Sequence, residues 1–213
     1  FLVPFKFRCQ IFSYTSSHIV PYNLIRNTDI ILQFGMPLDL LIQGRSRSLL
    51  FYHRRPSFMC IVEPDPKSHK FGVSVYNTLN STITKIINGA VHDTLDEICL
   101  LINNTHQATN RVILDSSSIK THKNDTNNTC IERIPAYPIL FYVNKMECIP
   151  SVISITTNGN ELVVLEQYLS DMKVDDHPRM ICLAPPDQSA YRLDRYNYKF
   201  VCLDDRGMTF IKK

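Results

Sequence analysis

Three stretches of this sequence gather side chains of chemically useful types. Asp175-Asp176-His177 sets two carboxylates beside an imidazole, a group that can hold a divalent cation or move a proton. It runs into Pro178 within a polar connection, where such residues usually stay solvated. Asp204-Asp205-Arg206-Gly207 is also acidic, but carboxylates ahead of a glycine are the composition of a tight turn. Tyr191, Arg192, Arg195, Tyr196 and Tyr198 interleave aromatic area with directional donors, as interface hot spots do. The same composition suits a solvent-facing strand. These five residues are the best candidates for contact with another protein.

Established catalytic grammar is missing. No GxGxxG or GxxxxGK[ST] phosphate loop occurs, and neither HExxH nor GxSxG is present. The histidines (18, 53, 69, 92, 106, 122 and 177) are dispersed, with no pair at helical i, i+4 spacing. No catalytic, cofactor-binding or metal-binding residue is assigned and no cofactor is expected, although a site assembled from distant residues needs no local motif.

The seven cysteines (9, 60, 99, 130, 148, 182 and 202) are widely spaced and include no CxxC pair, which argues against structural zinc. Five sit in apolar runs, as buried free thiols do, and the odd count leaves at least one unpaired. A reduced, intracellular chain of the cytoplasm or nucleus is the first expectation. Asn-x-Ser/Thr sequons at Asn80, Asn103, Asn124 and Asn127 support the alternative, the secretory pathway.

A net charge of +3, with the basic residues scattered, does not supply the basic face that nucleic acid requires. No apolar run approaches the length of a membrane span. The chain begins at Phe1 and reads as a piece of a longer protein.

The elements expected around these residues are mostly strands. Phe5, Phe7, Cys9 and Ile11 alternate with polar residues. Residues 29–34 and 38–43 are short apolar runs separated by Gly35 and Pro37. Residues 48–77 read as a three-stranded meander, with Pro56 and the segment Glu63–Lys70 at its turns and Phe71, Val73 and Val75 in its last strand. Strands are also expected near 110–115, 137–143, 151–157, 180–184, 199–203 and 209–212. Glu161–Met172 fits either a strand across the Asn158-Gly159 turn or a helix.

The best helix lies at about 93–103, where Thr94 and Glu97 match a capping box ahead of Ile98, Leu101 and Ile102. The polar stretch 116–134 divides a strand-rich 1–115 from a strand-rich 135–213, unless both form one domain.

The expected fold is therefore α+β and strand-rich, with antiparallel sheets and one marked helix. Two similar strand–turn–strand units, at 151–165 and 198–212, make part of a β-propeller the alternative. The expected function is a non-catalytic scaffold or protein-interaction domain of a larger intracellular assembly. Its partners would be other proteins, without nucleic acid or a membrane span. The alternative is a disulfide-bonded, N-glycosylated ectodomain of a secreted or viral glycoprotein.

Overall fold

A computed structural model of the chain describes residues 20–44, 46–93, 97–101, 111–113, 132–157, 161–184, 188–204 and 207–213. In chain order the elements are α1 (Val20–Asn23), β1 (Ile30–Phe34), α2 (Leu38–Ile42), α3 (Arg47–His53), β2 (Phe58–Glu63), α4 (Pro66–Thr78), β3 (Thr84–Asn88), β4 (Ala90–Val91), β5 (Glu97–Leu101) and β6 (Arg111–Ile113). They continue with β7 (Glu132–Tyr137), α5 (Ile139–Met146), β8 (Val152–Thr156), α6 (Glu161–Asp171), β9 (Met180–Ala184), β10 (Tyr198–Asp204) and β11 (Gly207–Lys212). Short 3-10 segments occupy Val174–Asp176 and Gln188–Tyr196.

Seven strands form the main sheet, in the order β3-β2-β1-β8-β9-β11-β10. The first five in that order are mutually parallel, and β11 enters antiparallel between β9 and β10. The sheet winds outward from β1 to β3, then returns to the centre and winds the other way from β8. This is a doubly wound α/β arrangement whose order reverses between β1 and β8. It draws strands from both sides of the polar stretch 116–134.

Alternate residues of the central strands serve opposite faces. Leu32, Phe34, Cys60, Val62, Ile153, Ile155, Ile181 and Leu183 pack with α5, α6 and the 188–196 segment. Ile31, Met59, Ile61, Val152, Met180 and Cys182 pack with residues of α1, α2, α3 and α4. A strand covered on both faces carries a near-continuous apolar run, as Phe58–Val62 of β2 does; in β1 the run is interrupted by Gln33, which is buried and donates to the Gly35 carbonyl at 2.8 Å.

The expectation of antiparallel sheets with a single helix is overturned, and so is the propeller alternative. The presumed meander is α3–β2–α4. Asp65 caps α4 by accepting from the Lys67 and Ser68 amides at 3.1 and 3.3 Å, with Pro66 in the first turn. The buried residues of α4 are Ser68, Gly72 and Tyr76, four apart, while the alternating Phe71, Val73 and Val75 are not buried. Residues 47–53 and 38–42 are helical too, and the expected strand over 137–143 is the end of β7 followed by α5.

The expected helix at 93–103 is in its described part a strand, β5, paired to β6 and β7. Ile98 and Leu100 turn to the small core they share with Ala90, Ile134 and Ala136, which is a period of two rather than 3.6. Thr94, the proposed cap, and the strand expected at Phe5–Ile11 lie outside the described residues. Strands β4 to β7 form a second sheet, in the order β4-β7-β5-β6.

Candidate functional site

In an open α/β sheet, ligands enter the crevice beyond the carboxyl ends of the strands where the winding reverses. A cleft lies there, with about 560 Å³ of empty space including its open mouth. Residues following β1, β2, β3 and β8 line it, and Ala90, Val91 and Leu100 of the second sheet close one side.

Gly35 makes the turn out of β1. Its φ is +86°, and a Cβ there would stand 2.1 Å from the Thr156 carbonyl oxygen. Only glycine fits both constraints, so β1 and β8 stay close at the cleft floor.

Glu63, the last residue of β2, is 5% exposed. Its Oε1 accepts from the Asp65 amide at 2.8 Å and its Oε2 from the Met36 amide. Burial pushes its carboxyl up to about 7, because desolvation outweighs the two amide donors. Asn88 Nδ2 donates to the Glu63 carbonyl at 3.0 Å, tying β3 to the same corner.

At the facing rim, Glu161 at the start of α6 accepts from Thr157 N at 3.0 Å and from Thr157 Oγ1 at 3.1 Å. Tyr142 of α5 donates to the Ala90 carbonyl at 2.7 Å and fixes the second sheet against the cleft. The polar side chains around the cleft are Glu63, Asp65, Ser68, Thr156 and Thr157. No lysine, arginine or histidine lines it among the described residues. The cleft is therefore a place for a neutral or cationic molecule with hydroxyl donors, and a poor one for a phosphate.

None of the five residues singled out for partner contact lines this cleft. Tyr191 is 54% exposed, with its ring edge-on to Phe200. Arg192 and Arg195 both pair with Glu166 of α6, at 3.6 and 2.8 Å. Tyr196 exchanges a hydrogen bond with Ser170, whereas Tyr198 is buried and donates to the Pro178 carbonyl.

His177 of the Asp175-Asp176-His177 group is buried, with Nε2 at 2.8 Å from the Leu169 carbonyl oxygen. No group of three or more metal-ligating side chains occurs among the described residues. Gly207 opens β11 at φ +123° and pairs with Asp204, the last residue of β10; Asp205 and Arg206 lie outside the described residues. Among the described residues no helix is long and apolar enough to cross a membrane.

No family model matches the chain, and no curated protein sequence does. Among solved structures, a Streptococcus pneumoniae chain described, provisionally, as a tRNA (m1A22) methyltransferase is 12% identical, with a TM-score of 0.44. The match covers 93% of this chain and 70% of that one. The likeness is one of outline. The expected scaffold or interaction domain and its ectodomain alternative were read from antiparallel, strand-rich patterning, and they are corrected here because the sheet is parallel and doubly wound, with a cleft at its switch point.

Sequence reading passed over Glu63 and Gly35. The signal was an apolar run ending in Gly35, which read as a break between two short runs, and a second ending in Glu63-Pro64-Asp65-Pro66, which read as a turn of the presumed meander.

Proposed function

We propose that the switch-point cleft binds a phosphate-free nucleoside cofactor, S-adenosylmethionine, and that this chain is the cofactor-binding domain of a methyltransferase. The observation that carries the reading is Glu63, a buried carboxylate at the end of β2 beside the Gly35 turn. In doubly wound sheets an acidic residue at this place accepts hydrogen bonds from ribose hydroxyls.

Charge and local geometry favour S-adenosylmethionine over a dinucleotide. A pyrophosphate needs a glycine-rich turn and free amides at a helix start. Here Pro37 follows the turn, α2 has five residues, and the Met36 amide is already engaged by Glu63. A sulfonium suits a cleft with carboxylates and, among the described residues, no cation lining it. When bound, this cofactor supplies an electrophilic methyl group, and its sulfur keeps the bonding pair as a neutral thioether once the acceptor has taken the methyl. The protein positions the partners: Glu63 holds the ribose, the Thr157–Glu161 pair fixes the β8 rim, and Ala90, Val91 and Leu100 exclude water.

Calorimetric titration with S-adenosylmethionine, S-adenosylhomocysteine, NADH and ATP tests the reading. The expected result is binding of the first two, weakened about tenfold or more by Glu63→Gln. Tighter binding of NADH or ATP, or no binding of any of the four, would overturn it.

A further inference from the structure

Gln33 is the polar residue of β1, set between Leu32 and Phe34 and only 1% exposed. Its Nε2 donates to the Gly35 carbonyl at 2.8 Å. Its Oε1 is buried and accepts from nothing among the described residues. That contact fixes which atom is which, because an oxygen turned towards Gly35 would set acceptor against acceptor. Across the parallel pairing with β8 the neighbour of Gln33 is Ser154, whose hydroxyl takes a hydrogen bond from Arg47 Nη1 at 3.4 Å.

A buried acceptor without a donor is costly. A methionine or leucine at this place would continue the run of Ile31, Leu32 and Phe34 without one. What Gln33 supplies lies at the cleft, which Gly35, Met36 and Pro37 line. The Gly35 amide donates to the Val62 carbonyl at 2.9 Å, and the Met36 amide donates to Glu63. The Gly35 carbonyl is held by Gln33, so each of these polar groups of the bend has a partner. The Met36 amide that meets Glu63 is therefore only as well placed as the turn that carries it.

We propose that Gln33 is a positioning residue for the cleft: its side-chain amide fixes the Gly35–Met36 turn and, through the Met36 amide, the orientation of Glu63. The unpaired Oε1 is the stability given up for that order. The consequence for a ligand rests on the cofactor reading, whereas the order of the turn is measurable without any ligand.

Gln33→Met, close in shape and without either polar atom, separates this role from a structural one. Thermal unfolding, backbone-amide exchange by NMR and calorimetric titration with S-adenosylhomocysteine compare it with the wild-type protein. The expected result is an unfolding midpoint unchanged or raised, because the orphan acceptor is gone. Exchange of the Gly35 and Met36 amides should be about tenfold faster, with Ile31 and Leu32 unchanged, and S-adenosylhomocysteine should bind about tenfold more weakly. Gln33→Leu repeats the measurement in a second apolar shape. A midpoint lowered in both variants would make Gln33 a structural side chain and overturn the proposal. Wild-type exchange rates at Gly35 and Met36, or faster exchange with unaltered affinity, would overturn it too. If the wild-type protein binds no S-adenosylhomocysteine, the cofactor reading falls and the exchange rates alone decide the role of Gln33.

Discussion

The two ends of the main sheet are built on opposite principles. At the amino ends of β1, β8 and β9 a buried carboxylate is closed in by donors. Asp29 accepts from Arg179 Nε at 2.9 Å, from Ser151 Oγ at 2.8 Å and from the Arg26 amide at 2.7 Å. Arg179 also donates to the Leu24 carbonyl at 2.7 Å. Burial alone would raise the Asp29 carboxyl, but Arg179, the Arg26 amide and Ser151 hold it below its usual value. At the carboxyl ends Glu63 has only two amide donors, and burial wins. One end is a closed lock; at the other, the proposed reading has the remaining lone pairs of Glu63 accept from a ligand.

The two carboxylates leave opposite signatures in pH. Asp29 has a depressed folded value, so its contribution is present above the unfolded carboxyl range and is lost as pH falls through the folded value. Glu63 is raised from 4.5 to about 7. The folded state therefore holds its proton more tightly, and that stability is lost as pH rises towards 7, by on the order of 3 kcal/mol.

The largest effect should come from opening the lock. Arg179→Ala leaves a buried, unpaired carboxylate and should cost about 3 kcal/mol at neutral pH, measured by urea unfolding. Ligand affinity of the folded fraction should be unchanged, and a loss of affinity there would erase the distinction between the ends. Next, Glu63→Gln should flatten the fall in stability between pH 5 and 7 without a large loss at pH 7.5, followed as thermal midpoints across pH. The cofactor affinity of the wild-type protein should fall as pH drops from 8 to 6, because protonated Glu63 accepts hydroxyls less well, and this dependence should vanish in the variant. The smallest effect belongs to Thr157→Val, which removes one hydrogen bond to Glu161 and should cost about 1 kcal/mol by the same unfolding measurement.

The contrast also explains what the sequence displayed. Strands β1, β2, β8, β9 and β11 were legible because their apolar runs are bounded by glycine, proline and polar residues. Their direction was not, since strands buried on both faces lose the alternation that marks an antiparallel surface. Helix α4 was hidden because it turns Ser68, Gly72 and Tyr76 inward, and Gly72 meets Met36 so closely that a Cβ would stand 2.1 Å from its terminal carbon. A hydrophobic period cannot register small and polar core residues. At 93–103 the reverse happened, since a capping-box match carried a segment whose register with β7 makes it a strand. Gly35 and Glu63 are far apart in the chain and meet only through the parallel pairing of β1 and β2. No local motif could announce them.

The most direct test of the cleft assignment is backbone-amide chemical-shift mapping with S-adenosylhomocysteine. The account predicts saturable shifts at Gly35, Met36, Asp65 and Gly89, with Arg26, Ser151 and Arg179 unmoved. Shifts centred on the Asp29 end, or none at ligand concentrations that saturate other adenosyl-binding proteins, would contradict it.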